Sequence, residues 1–448
     1  MVTFDLVLPT VVSTVEGWDK LTSCAKCCVV RDLEGRVRLV LEPVQNIDVD
    51  PAPLEALLKS SLDGWFAGPI LTTCQPRERR ALAKELLQKA APWTTAEWND
   101  GAGTPHQPAA PGRWYLLERR LSKFDWLTNT PGGAIWPLGT PAAPAVVTFF
   151  SFKGGVGRTT LLTACAWQLA RLHQKRVVAI DLDLEAPGLG LLLGAEGNRG
   201  VLDFIVDELA VGGAELEPLP AQALGPTDAA LVDVVPAGRL DLAYLEKLSR
   251  LDFTGGGGFL QDGSPPIATA LRALLNKFRG KGYDFVLLDA RAGMHDIAGL
   301  SLHGLAHVDV LVSRASEQAY RGLELTIEAL ARRRSAVDLM TLNVHSMVPA
   351  EQADATAEKA RFRQRSYDMF KRHLYDDYGE DTDVPQEDDA DEPHTPYPIS
   401  RHPKLETIES AAFAEEELFS AEYVAVTARI VALCTVPDDD EKAQKVGA

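Results

Sequence analysis

Between an unbroken apolar run, Ala145–Phe150, and a helix-like stretch, Leu161–Leu172, stand eight residues: Lys153-Gly154-Gly155-Val156-Gly157-Arg158-Thr159-Thr160. A strand that turns sharply into a helix leaves backbone N–H groups pointing outward, and glycines let an anion approach them with no Cβ in the way. The segment therefore predicts a polyphosphate cradle built from the backbone of Gly154 to Thr160. In that cradle the Thr159 hydroxyl is placed for Mg²⁺ and Arg158 for the charge of the β- and γ-phosphates. The ordinary pattern, G-x-x-x-x-G-K-[ST], is broken twice, by Phe152 where the first Gly belongs and by Arg158 where the Lys belongs.

The lysine at the start of the loop, Lys153, resembles the deviant Walker A loop, K-G-G-x-G-K-[ST], of ParA/MinD-type ATPases of the SIMIBI class, here as a KGGVGR variant. Two later segments are similar to that family's other motifs. Arg176-Val-Val-Ala-Ile-Asp-Leu-Asp183 is an apolar strand ending in carboxylates, followed by Glu185-Ala-Pro-Gly-Leu189, and Tyr283-Asp-Phe-Val-Leu-Leu-Asp289 reads as a Walker B strand. Ala290-Arg291-Ala292-Gly293 resembles the switch loop, with Arg291 where the family has Pro. The resemblance implies ATP and Mg²⁺ as ligands, with metal held by Thr159 and Asp289 and an attacking water placed by Asp181 or Asp183. It also implies that Lys153 acts across a dimer on the partner's nucleotide. By the same resemblance Asn343 and Pro398 are expected beside the adenine.

From Ala145 onward, strand and helix patterns alternate: apolar strands near 145–150, 177–180, 230–235, 285–288, 308–312 and 339–344, with helices near 160–172, 240–251, 266–278, 296–305 and 317–333. Such alternation predicts an α/β fold, a mostly parallel doubly wound sheet covered by helices on both faces. Ligand then binds at the carboxyl ends of the strands, where Lys153, Asp181, Asp183 and Asp289 all fall. The expected domain spans 145–436, with a charged helical and acidic insertion at about 350–395 and an acidic tail at 437–448.

The first part of the chain has another character. Seven of the eight tryptophans lie before residue 140, and Cys28–Arg31 and Val37–Glu42 flank a turn at Asp32–Gly35. Helices are expected near 54–62 and 76–89. This predicts a separate α+β module at 1–112, joined by a connector at 113–144. Its tryptophans are open to two readings, a partner-binding face or a small core that uses large side chains. Cys24-x-x-Cys27-Cys28 with Cys74 has a spacing compatible with zinc, but no second C-x-x-C follows, and buried free thiols on a strand are the favoured reading.

The formal charge is −18, and ten acids without a Lys or Arg fall between Asp376 and Glu392. A nucleic-acid binder presents a basic face, so the balance argues against DNA as the main partner. No apolar run approaches the roughly 20 residues needed to span a bilayer, and a cytoplasmic location is expected. The function expected from these features is an ATP-hydrolysing dimeric switch that engages a protein partner through the N-terminal module or the acidic insertion. The implied setting is a multi-component bacterial conflict or signalling system. Two alternatives stand beside it: a DNA-partitioning ATPase of the ParA type, and a nucleotide-binding scaffold with little or no hydrolysis.

Overall fold

The computed structural model describes residues 2–45, 47, 49–93, 112–120, 122–127, 134–251, 266–333, 340–376 and 384–435. The chain divides into two units, Met1–Leu121 and Ser122–Ala448. The boundary falls inside the segment read as a connector. Residues 94–111, part of the acidic run (377–383) and the tail 436–448 lie outside the described residues.

The first unit holds a sheet in the order β3-β2-β1-β5-β4, formed by β1 (Cys24–Arg31), β2 (Val37–Pro43), β3 (Leu71–Thr72), β4 (Ala91–Pro92) and β5 (Trp114–Glu118). β1 and β2 make the expected antiparallel hairpin. Its turn is held by Asp32, whose carboxylate accepts the N–H groups of Glu34 at 3.1 Å and Arg36 at 2.8 Å. One face is covered by helices Phe4–Glu16 and Ala52–Leu62. The first buries Val7, Val11, Val12 and Val15, one stripe at helical spacing. The other face is covered by helix Arg77–Lys89, whose Ala83, Leu86 and Leu87 meet Cys28, Val30 and Val40.

Trp18, Trp93 and Trp114 are buried in this core, which favours the reading of large side chains filling a small interior. Trp126 and Trp136 belong to the second unit, and Trp98 lies outside the described residues. Cys27 and Cys28, adjacent on β1, face opposite sides of the sheet and enter different cores, while Cys74 is exposed. Strand alternation therefore separates the thiols that a zinc site would have to gather. Among the described residues no group of three or more His, Cys, Asp or Glu side chains that could hold a metal is assembled.

The second unit is built on an eight-stranded sheet in the order β13-β12-β11-β6-β10-β7-β9-β8. Its strands are β6 (Ala145–Phe150), β7 (Val177–Leu182), β8 (Leu219–Pro220), β9 (Val232–Val235), β10 (Phe285–Ala290), β11 (Val308–Ser313), β12 (Thr341–Val348) and β13 (Pro396–Ser400). Every neighbouring pair is parallel except β8 with β9. All residues of β6, β7, β10 and β11 are buried, as expected for parallel strands with helices on both faces. On one side lie helices Arg158–His173 and Ala421–Cys434. On the other lie Val201–Val211, Pro266–Asn276, Asp296–Gly304 and Glu317–Ala331.

The segment read as an insertion is in large part framework. Helix Gln352–Phe370 buries Phe362 and Phe370 beside Leu311, Leu323 and Ile327, and it connects β12 to β13. Two parallel neighbours need a crossover of about a dozen residues or more, and this helix provides it. Its many charges concealed the role, because only a narrow stripe reaches the core.

Candidate functional site

β6 ends at Phe150 and the chain turns through Ser151–Gly157 into helix Arg158–His173. Gly157 has φ +82°, a conformation that L side chains rarely adopt, and its carbonyl accepts the Leu161 N–H at 2.9 Å to start the helix. No side chain caps this helix, and the outward sides of Gly154 and Gly155 are open. Phe152, the first departure from the ordinary loop, packs on helix Glu317–Ala331 at Gly322. A Cβ there would lie 2.0 Å from the Phe152 ring, so the two residues fit only as a pair. Val156 anchors the loop in the core. Lys153 is half-buried and Thr160 lies on the first turn of the helix, also half-buried.

The sheet order places β10 between β6 and β7, so the carboxyl ends of three adjacent strands converge on the loop. Register pairs Asp289 with Asp181 directly. Thr159 Oγ1 donates to Asp289 Oδ2 at 2.7 Å. Arg158 Nε donates to Asp289 Oδ1 at 2.6 Å and Nη2 to Asp183 Oδ2 at 3.0 Å. The Arg158 side chain is only 8% exposed. Sequence spacing assigned it to phosphate; in the structure it points between two buried carboxylates. Burial works against its charge, and Asp289 and Asp183 more than compensate, so it stays a cation. Burial likewise pushes Asp289 up, against the pull of Arg158 and Thr159.

Asp181 shapes the following loop. Its carboxylate accepts the N–H groups of Asp183, Gly188 and Leu189, each at 3.1 Å. Burial first, and then the neighbouring charge of Asp289, push its pKa up to about 8. Asp183 also accepts the Ala186 N–H at 3.3 Å. Beyond β10, Arg291 pairs with Glu185 from the loop after β7, and the Gly293 N–H donates to the Ser151 carbonyl at 3.0 Å.

Asn343 and Pro398 stand elsewhere. Asn343 is fully buried in the middle of β12 and donates to Ser366 Oγ at 2.7 Å, facing the crossover helix. Pro398 pairs with His345 and lines a cleft with Lys359 and Arg363, apart from the loop. The strand runs to Val348, four residues past the end expected from sequence, so its tip is formed by Met347 and Pro349. These two line a cleft of about 1040 Å³ together with Gly155 of the loop, Arg314, Arg401 and Pro403. Pro349, which cannot continue a central strand, was the signal for that boundary.

Hydroxyl and carboxylate oxygens from Thr159, Asp183 and Asp289 are the hard donors that suit Mg²⁺. The uncapped helix start and the open glycine backbone suit a polyphosphate. The residues present thus fit both groups.

Residues 147–350, just under half of the chain, match the CobQ/CobB/MinD/ParA nucleotide binding domain. An uncharacterized ATP-binding protein of Methanocaldococcus jannaschii is 40% identical over 65 residues, 14% of this chain; the match spans about a quarter of that relative's length, 24%. Among solved structures, the cell division ATPase MinD of Pyrococcus furiosus is 18% identical, with 64% of this chain and 99% of that one covered and a TM-score of 0.39. The pNOB8 ParA structure is 16% identical over 65% and 98%, with a TM-score of 0.44. A cobyrinic acid a,c-diamide synthase from Mycobacterium smegmatis, bound to an ATP analog and magnesium, is 21% identical over 50% and 83%, with a TM-score of 0.36. By the family-model match, residues 147–350 resemble a ParA/MinD-like nucleotide binding domain.

Proposed function

We propose that the chain binds and hydrolyses ATP and works as a nucleotide-dependent dimeric switch that engages a protein partner. The observation that carries this reading is the meeting of an open, uncapped glycine loop with Thr159, Asp183 and Asp289 at the tips of three adjacent parallel strands. Brought by ATP, magnesium would neutralise charge on the β- and γ-phosphates. The backbone N–H groups of Gly154 to Thr160 would donate to phosphate oxygens, and Thr159 and Asp289 would hold the metal. Asp181 or Asp183 would orient the attacking water. Lys153, which has no ion-pair partner among the described residues, would reach the nucleotide of a second copy and make hydrolysis depend on dimerisation. The nucleoside would lie in the cleft lined by Gly155, Met347, Pro349 and Arg401, a place we now prefer to Asn343 and Pro398.

The partner would be met by the N-terminal unit or the acidic segment near 376–392, and a conflict or signalling assembly is the setting proposed. A cytoplasmic site of action is part of the same reading; no described helix is long and apolar enough to cross a membrane. The decisive experiment is steady-state phosphate release against protein concentration with Mg²⁺ and ATP. A specific rate that rises with concentration supports the switch.

One observation favours a second reading. Arg158 is committed to Asp289 and Asp183, so a scaffold that holds nucleotide without turnover would show tight binding and phosphate release at background. A DNA-partitioning role is weakened by the −18 charge; a salt-sensitive shift of DNA in the presence of ATP would restore it.

A further inference from the structure

The γ-phosphate of a bound triphosphate needs a cation, and the loop's own candidate is engaged elsewhere. Arg158 Nε and Nη2 are both committed to buried carboxylates, at 2.6 Å and 3.0 Å. Lys153, in the reading above, serves the neighbouring copy. A third cation stands at the same strand tips. Arg291 follows Asp289 by two residues on the loop leaving β10, and that loop is tied to the phosphate loop through the 3.0 Å bond from the Gly293 N–H to the Ser151 carbonyl.

The Arg291 guanidinium pairs with Glu185, a carboxylate on the loop after β7 whose side chain is 47% exposed. A pair whose carboxylate is this open to solvent is weakened by screening, and a phosphate offers more charge and more acceptor oxygens than one carboxylate. The loop's far end is fixed: Trp126 Nε1 donates to the His295 carbonyl at 2.7 Å, and Lys123 Nζ pairs with Asp296 at 2.8 Å. An exchange of partners thus asks for rotation of one side chain and little movement of backbone. Arg291 is itself only 27% exposed on its side chain, so the exchange happens at the rim of the site.

We propose that Arg291 is a γ-phosphate contact supplied by the same chain, with Glu185 as the placeholder that holds it until a triphosphate arrives. This deepens the nucleotide reading and rests on it. In this arrangement Arg291 distinguishes ATP from ADP. Glu185 opposes that distinction, because the pair must break before the phosphate is gripped.

The test is calorimetric titration of the full chain with ADP and with AMPPNP, both with Mg²⁺, for wild type, Arg291→Ala, Arg291→Lys and Glu185→Gln. Loss of a charge-assisted bond predicts that Arg291→Ala weakens AMPPNP by about tenfold or more and leaves ADP within about twofold. Arg291→Lys keeps part of the preference, since an ammonium still supplies charge without the fork. Glu185→Gln tightens AMPPNP a few-fold and leaves ADP unchanged. Equal weakening of both nucleotides by Arg291→Ala, or an unchanged ratio, overturns the assignment, as does weaker AMPPNP binding in Glu185→Gln. Failure of wild type to bind either nucleotide would remove the nucleotide reading itself, an outcome separate from a wild type that binds both and a variant that keeps the ratio.

Discussion

Replacing Arg158 with Met removes the cation seated between Asp183 and Asp289 while keeping much of the side-chain volume. Two charge-assisted hydrogen bonds disappear, each worth about 1.5–3 kcal/mol. Partial relief follows when an orphaned carboxyl takes up a proton, so the net loss expected near neutral pH is about 3–5 kcal/mol, the usual cost of breaking a buried pair from one side. The pH dependence follows from the same charges. Without Arg158 the main pull that opposes burial at Asp289 is lost, so its carboxyl is held further up and the variant keeps a proton that its unfolded chain has lost. Its stability relative to wild type then falls as pH rises from the unfolded carboxylate range, and the gap is smallest in acid. Urea unfolding at several pH values between 5 and 8 measures this directly. Added Mg²⁺ is expected to recover more stability in the variant than in wild type, since a free cation takes the place of the tethered one. A loss under about 1 kcal/mol that does not change with pH would refute the reasoning.

Asp181 supplies a second pH test. Its pKa, pushed up to about 8 by burial and Asp289, means that wild-type stability falls as pH rises from the ordinary carboxylate range towards 8 and levels off above it. Asp181→Asn is expected to flatten the slope, which unfolding curves across the range will reveal. Lys153→Ala is expected to retain ATP binding in titration and to lose ATP-dependent association in sedimentation experiments. Phe362→Ala, which empties a fully buried site beneath the crossover helix, is expected to cost about 3–5 kcal/mol in chemical denaturation; a loss below about 1 kcal/mol would mean that the helix is peripheral after all.

Much of the parallel sheet could be read from residues. β6, β7, β10 and β11 are apolar runs bounded by glycine, aspartate or loop, and the strands lie where the pattern put them to within about two residues at most ends. The convergence of Thr159, Asp183 and Asp289 was legible for the same reason, since strand tips in a doubly wound sheet gather whatever residues they end on. Four things were not legible. The direction of Arg158 depends on burial and on which carboxylates surround it, and a motif records neither. The length of β12 was cut short because Asn343 and His345 look like strand-end residues, while both are buried against the crossover helix. Helix Gln352–Phe370 reads as an insertion in the sequence because its charge count hides a stripe of Phe362, Met369 and Phe370. Helix Phe4–Glu16 escaped notice since its four buried valines and internal Pro9 are poor helix formers, so packing decides its state more than propensity does.

The central claim is that the open loop at Gly154–Thr160 holds the phosphates of ATP with Mg²⁺ at Thr159 and Asp289. Titration of the full chain with AMPPNP, with and without Mg²⁺, alongside Thr159→Ala and Asp289→Asn, tests it most directly. Saturable one-to-one binding that Mg²⁺ strengthens in wild type, with that gain abolished in both variants, is the result the account predicts. Absence of binding in wild type, or binding that neither Mg²⁺ nor either substitution alters, would contradict it.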